Sequence, residues 1–189
     1  MQMPINIKQL TKSSEIKNFI DGYNLAYSSQ KIRNKQLMHV ETLLDYDFIF
    51  GIFKGDELCG GFIINHSPRR CLDSYTKEDR EKLLKSIDLP ENISEVVSIW
   101  KSKKLSRFIL WGIITYMTYN HGKKIVFGCA YKGHGMTKNY YKVSPTFIQR
   151  GEKEDDLEIF YYTKTQFILT FFSGLTRALF IDPMRVHLN

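Results

Sequence analysis

The sequence predicts an α/β fold, a central mixed β-sheet flanked by helices on both faces and followed by a C-terminal amphipathic helix. Three observations predict it. Short runs rich in β-branched and aromatic residues alternate with segments whose apolar residues recur at helical spacing. The helical segments fall between strands rather than in a block of their own, which implies a sheet covered on both sides. The chain has 189 residues, 43% of them hydrophobic, enough to fill one core. Residues 1–189 are therefore expected to form one domain, with a helical insertion at 67–92 and a C-terminal helix and tail at 165–189.

Each element has a local cause. Ile5 to Leu10 alternates as a short strand. Ser13 or Ser14 caps a helix in which Ile16, Phe19, Ile20, Tyr23 and Tyr27 make one apolar stripe. A second short helix is expected around Leu37, Met38, Leu43 and Leu44. Phe48 to Phe53 and Leu58 to Asn65 flank Lys54-Gly55-Asp56-Glu57 as a hairpin. Gly60-Gly61 within the return strand predicts a bulge or a close backbone approach. The insertion carries a capping pattern at Thr76 and Asp79 and a thin apolar edge, Leu83, Leu84 and Ile87, so it is expected to lie over the surface.

Glu95 to Trp100 is a β-rich run. Ser106 to Asn120 reads as a helix apolar on nearly all sides and hence deeply buried, ended by Gly122. Lys124 to Tyr131 is a strand, Gly135 to Val143 a short helix stopped by Ser144-Pro145, and Thr146 to Gly151 and Leu157 to Tyr162 the last two strands. From Thr165 onward, Phe167, Ile168, Phe171, Phe172, Leu175 and Leu179 form the terminal helix, expected to face the core or form a homodimer, with an acyl-chain or membrane-surface contact as the alternative.

Composition narrows the function. The apolar share excludes wholesale disorder. No apolar stretch approaches the ~20 residues a membrane helix needs. The start, Met1-Gln2-Met3-Pro4, lacks the layout of a secretory signal, and Cys59, Cys71 and Cys129 form no CxxC pair, so a reduced, cytoplasmic setting is expected. The five histidines show no HxxxH or HExxH spacing, and no metal site is expected. Twenty-seven Lys and Arg against 20 Asp and Glu give a net charge of +7, which favours an anionic partner. Nucleic acid is not expected to be that partner, because no DNA- or RNA-binding motif accompanies the charge.

Ligands of open α/β sheets favour the carboxyl ends of strands where helices begin. Two such junctions stand out, Trp100 to Arg107 and Cys129 to Thr137. The first places Lys101, Lys103, Lys104 and Arg107 beside a helix amino end, where unpaired N–H groups also attract anions. His66 and His134 are candidate proton relays. Cys129 is read as a buried structural thiol rather than a nucleophile.

The order of elements and the first junction resemble the GCN5-related N-acetyltransferase (GNAT) superfold over about residues 5 to 163. In that family the fourth strand opens onto a Q/R-x-x-G-x-G/A loop that holds the pyrophosphate of coenzyme A. The corresponding stretch is Lys101-Ser102-Lys103-Lys104-Leu105-Ser106, basic at its first position and small at Ser106, with Lys104 where the family has its middle glycine. Tyr140-Tyr141-Lys142-Val143-Ser144-Pro145 resembles the family's Y-E-K-L-G-F stretch, with Ser144-Pro145 in place of Gly-Phe. The resemblance implies Tyr140 as the acid that protonates the departing thiolate and Glu95 as the base that frees the amine. It also implies that pantetheine runs along Ser98, Ile99 and Trp100 as an added strand. Ser106-Arg107-Phe108 resembles a stretch of acyl-homoserine-lactone synthases, GNAT-like enzymes that draw on acyl carrier protein.

The function so implied is an N-acyltransferase moving an acyl group from acyl-CoA (acetyl-CoA in the simplest case) to a small-molecule or peptide amine. The alternatives are an enzyme dependent on acyl carrier protein and a non-catalytic binding module of the same fold.

Overall fold

In chain order the elements are β1 (Ile5–Gln9), α1 (Ser13–Ser28), β2 (Phe48–Lys54), β3 (Glu57–Asn65), α2 (Lys77–Ser86), β4 (Ile93–Lys101), α3 (Arg107–His121), β5 (Ile125–Tyr131), β6 (Thr146–Gln149) and β7 (Leu157–Thr163), with a 3-10 turn at Arg70–Leu72. The structure, a computed structural model, describes residues 4–28, 38, 43, 46–67, 70–72, 75–86, 92–132, 145–153 and 156–169. The expected helix at 135–143 and most of the terminal helix lie outside the described residues, as does most of the helix expected around residues 37–44.

The strands form one seven-stranded sheet in the order β1-β2-β3-β4-β5-β7-β6. β1 to β4 pair antiparallel in sequence, β4 and β5 are parallel, and β7 then lies between β5 and β6. The hairpin forms where expected, with Gly55 at φ 61° in its turn. The sheet is mixed and covered on both faces. α1 turns Ile16, Phe19, Ile20 and Tyr23 onto one face, against Ile63, Val97 and Trp100. α3 turns Leu110 and Ile114 onto the other, against Phe62, Ile64, Val96 and Val126. Each buried large side chain contributes roughly 1.5–3 kcal/mol to this two-sided core.

Gly60-Gly61 meets both expectations. The register shifts opposite Ile52/Phe53, leaving Cys59 as the extra residue of a bulge. A Cβ on Gly60 would stand 2.9 Å from the Trp100 carbonyl oxygen.

Two expectations are corrected. α3 is amphipathic rather than buried all round, with Phe108, Ile109, Tyr116 and Tyr119 exposed among the described residues. Apolar residues on every side of a helix show what it could bury, and only the sheet decides which side is covered. The insertion is not wholly a surface feature either. α2 is largely exposed and its first turn is capped by Thr76 Oγ1, which accepts from Asp79 N–H, but Cys71 and Leu72 are wholly buried beneath it. Among the described residues no helix is long and apolar enough to cross a membrane.

Candidate active site

β4 and β5 pair over only three positions, Ile93 with Ile125, Ser94 with Val126 and Glu95 with Phe127. Both strands continue, β4 to Lys101 and β5 to Tyr131, without pairing further. β5 stays paired with β7 through Tyr131, and β4 stays with β3 through Lys101. The two halves of the sheet therefore part after Glu95. Among the described residues, no strand pairs with the β4 edge from Val96 onward on that side.

The parting coincides with a bulge. Gly61 faces Trp100 and Ile63 faces Val97, so Ser98 and Ile99 together stand against Phe62. Ser98 adopts φ 55°, the one non-glycine residue with positive φ among the described residues. A serine in that region carries backbone strain of about 1 kcal/mol, held by the surrounding sheet. Ser98 is buried and its Oγ has no hydrogen-bond partner, and the Nε1–H of buried Trp100 is likewise unpartnered. The Trp100 indole stands edge-on to Phe19 and against Gly22, where an added Cβ would meet it at 2.3 Å. Ser98→Val should lower stability by about 2 kcal/mol, because a β-branched residue tolerates positive φ poorly, and Ser98→Gly by less than about 0.5 kcal/mol. Urea unfolding midpoints of the two variants check this.

Beyond Lys101 the chain folds into a tight loop. Ser102 N–H donates to the Cys59 carbonyl at 2.8 Å, Lys104 N–H to Ser102 Oγ at 3.3 Å and Leu105 N–H to the Ser102 carbonyl at 3.3 Å. Ser106 caps α3, its Oγ accepting from Phe108 N–H at 3.2 Å. Leu105 is buried, whereas Lys103, Lys104, Ser106 and Arg107 are exposed. Lys104 bonds both Glu57 carboxylate oxygens, at 2.7 and 2.8 Å, so part of the loop's positive charge is already answered. Lys101 Nζ donates to the Ser102 carbonyl. The sequence-predicted anion loop is thus at the far end of the unpaired β4 edge, with several of its N–H groups used internally.

Glu95 lies at the other end, on the last pair before the strands part. Its side chain is wholly buried and accepts from Cys71 N–H at 3.0 Å, Arg70 N–H at 3.1 Å and Asn65 Nδ2 at 3.4 Å. Burial raises its pKa above the usual carboxylate value, and these donors, led by the two backbone N–H groups, limit the rise. Beside it stands Cys71, whose thiol burial pushes well up with Cys129 adding to the effect; the Arg70 guanidinium lies 5.8 Å from the centroid of the Tyr23 ring. Burial likewise raises the Tyr23 and Tyr131 phenols. A carboxylate whose pKa is raised, next to the point where two parallel strands separate, is a stronger base than an exposed one.

No protein-family model matches the chain, and no curated protein matches it in sequence. Solved structures do. FeeM, an N-acyl amino acid synthase from uncultured soil microbes, is similar with a TM-score of 0.64 at 15% identity, over 87% of this chain and 93% of its own. A GCN5-related N-acetyltransferase from Brucella melitensis is similar with a TM-score of 0.51 at 10% identity, over 92% and 84%. This is the fold of the GCN5-related N-acetyltransferases. The yncA protein of Salmonella typhimurium, solved with its cofactor acetyl-CoA, shares the GNAT fold with this chain at a TM-score of 0.52 and 9% identity, over 85% and 94%.

Within the GNAT fold the sequence-predicted residues fall into two groups. Ser98, Ile99, Trp100 and the loop Lys101–Ser106 are continuous along β4 and the start of α3, and Glu95 is at the apex of the parting. Tyr140 and His134 lie outside the described residues. His66 is placed elsewhere: its Nε2 stands 2.8 Å from the His121 carbonyl oxygen and its ring meets Phe48, on the α3 side of the sheet. Cys129 is half-buried beside Cys71. Sequence reasoning missed Asn65, Arg70 and Cys71. The one available signal was the apolar Cys71-Leu72 pair inside a charged segment. Among the described residues no group of His, Cys, Asp or Glu is arranged to hold a metal ion.

Proposed function

We propose that the protein is an N-acyltransferase that moves an acyl group from acyl-CoA to an amine. The observation that carries this reading is the parting of β4 from β5 after Glu95, which leaves the β4 main chain from Val96 to Lys101 unpaired on one side among the described residues. A pantetheine arm carries amide groups that can pair with such an edge as an added strand would. The donor's phosphates then fall near Lys101, Ser102, Lys103, Lys104, Leu105 and Ser106, at the α3 amino end. The thioester falls near Ser98 and the amine near Glu95.

In the reaction the acceptor enters as the neutral amine, and Glu95 takes the one proton its nitrogen sheds as the C–N bond forms, directly or through water. The nitrogen lone pair attacks the thioester carbonyl, a C–N bond forms and the C–S bond breaks. The sulfur leaves as thiolate and takes up a proton, for which Tyr140 is the proposed donor. Coenzyme A and the acyl amide are the products.

Purified protein incubated with acetyl-CoA and longer acyl-CoA donors and a panel of amines is expected to release free thiol in proportion to amide formed. The preferred donor is expected to raise the melting temperature. Absence of both turnover and thermal shift with every donor would overturn the reading.

A second reading, in which the donor is acyl carrier protein, is favoured by one observation. Lys104 replaces the family's middle glycine, and the Lys104 and Leu105 N–H groups are bonded within the loop rather than left for a pyrophosphate. The net charge of +7 suits an acidic carrier. A higher kcat/KM with acyl carrier protein than with the matching acyl-CoA, falling steeply with added salt, is the expected result for this reading.

A further inference from the structure

The thiols of Cys71 and Cys129 meet where β4 parts from β5, and the proposed reaction uses neither. Cys71 sits in the 3-10 turn, wholly buried, and its N–H donates to Glu95 Oε2 at 3.0 Å, which ties it to β4. Cys129 belongs to β5, two residues beyond Phe127, the last residue of that strand to pair with β4. Ile125 and Phe127 are buried on the α1 side of the sheet. Strand alternation puts Cys129 on that side too, packed against the cluster that contains Cys71. The Cys71 thiol interacts with the Cys129 thiol and with the Glu95 carboxylate. Both cysteines are free, and Cys129 is only half-buried. The insertion that carries Cys71 also reaches past β5 and β7, for the Tyr75 hydroxyl donates to Gln149 Oε1 on β6 at 2.9 Å. The insertion thus touches both halves of the sheet.

We infer that Cys71 and Cys129 are a redox pair, which a peroxide closes to a disulfide that staples the Glu95 end of β4 to β5 and restricts access to Glu95. Bond formation stands on the placement of the two thiols; its effect on transfer rests on the N-acyltransferase reading. The half-buried Cys129 is the thiol a peroxide reaches. Its sulfur attacks the peroxide, the O–O bond breaks, and a sulfenic acid and one water form. Cys71 suits the second step, because burial keeps its thiol protonated and unreactive until a sulfenic acid stands beside it. Glu95, in contact with that thiol, is the base that draws its proton off. The Cys71 sulfur attacks the Cys129 sulfur, the S–S bond forms and the S–O bond breaks. The hydroxyl leaves as a second water on taking up that proton, so two thiols and one hydrogen peroxide give one disulfide and two waters. Bridged cysteines hold their Cα atoms about 4.4–6.8 Å apart, so the bond fixes how far β5 stands from the turn tied to Glu95.

Hydrogen peroxide is added to the whole native protein, and the disulfide is read by mass spectrometry of unreduced peptides. A linked Cys71–Cys129 peptide, lighter by two hydrogens and released by dithiothreitol, is the expected result. A Cys129 that stays a thiol, or goes on to sulfinic or sulfonic acid with Cys71 free, overturns the pair. A link from either cysteine to Cys59 or to a second molecule does the same. This readout needs neither a variant nor a substrate. With the donor and amine that give the highest turnover, the oxidised protein is expected to lose about 10-fold or more in kcat/KM, because a fixed opening misplaces the reacting groups. Dithiothreitol is expected to restore the activity, and Cys129→Ser to show neither link nor loss. A link without loss of turnover, or an equal loss in Cys129→Ser, overturns the restriction of access. Reduced protein that transfers from no donor removes the acyltransferase reading, and the linked peptide then decides the pair by itself.

Discussion

Glu95→Ala should lower the stability of the protein by about 2–4 kcal/mol and abolish acyl transfer, because it leaves the backbone N–H groups of Arg70 and Cys71 without their acceptor and Asn65 Nδ2 with Ser67 alone. Those donors belong to the β3 end and the Arg70–Leu72 turn, so the loss also frees the segment that places Cys71. Stability alone does not separate anchor from base, and Glu95→Gln does. Glutamine keeps the shape and one acceptor oxygen but points an amide at a backbone N–H, which costs about 1–2 kcal/mol and leaves a folded protein. If Glu95 is the base, folded Glu95→Gln loses turnover at neutral pH while still giving a donor-induced thermal shift.

The pH dependence carries its own signature. Burial raises the Glu95 pKa above the ordinary value of 4.5. Between the ordinary and the raised value the folded state holds more proton than the unfolded state, so this group makes stability fall as pH rises through that interval. Activity runs the opposite way, because the base works only when ionised. The acid limb of kcat/KM is expected above pH 4.5, and both the limb and the stability slope should be absent in Glu95→Gln. An unchanged limb in that variant would assign the base to another group.

Gly61→Ala is expected to cost at least about 3 kcal/mol, enough to leave much of the protein unfolded at 37 °C. The added Cβ would stand 2.4 Å from the Phe50 carbonyl oxygen and 2.6 Å from the Phe19 ring. The first contact is with main chain in the β2–β3 ladder, so no rotamer change relieves it. Gly61 also pairs with Trp100, and Gly60 with Lys101, so the variant disturbs the strand that carries Ser98 and the loop after it. Soluble yield and the urea midpoint measure the effect. A midpoint within about 0.5 kcal/mol of wild type would contradict the close approach described for this pair.

The elements were legible where their cause is local. Gly55 in a four-residue turn between alternating strands specifies the β2–β3 hairpin, because its φ of 61° suits glycine and the flanking pattern sets the register. Helical spacing in α1 identified Ile16, Phe19, Ile20, Tyr23 and Tyr27, of which the first four are buried and Tyr27 is half-buried. The start of α3 near Ser106 and its end at Gly122 were equally local. Which side of α3 would be covered was not, because Phe108, Ile109, Leu110 and Ile114 are equivalent in a sequence and differ only once a sheet lies beneath two of them.

What the sequence by itself determined is therefore the order of the seven strands and of the helices α1, α2 and α3 among the described residues, the two-sided α/β class, and a cationic bend between β4 and α3. Tertiary structure alone decided the separation of β4 from β5, since β-propensity makes both strands extended throughout and is silent about where their pairing stops. It also decided the setting of Glu95. Its donors come from residues 24, 25 and 30 positions away, and only folding supplies both the burial that raises its pKa and the donors that limit the rise.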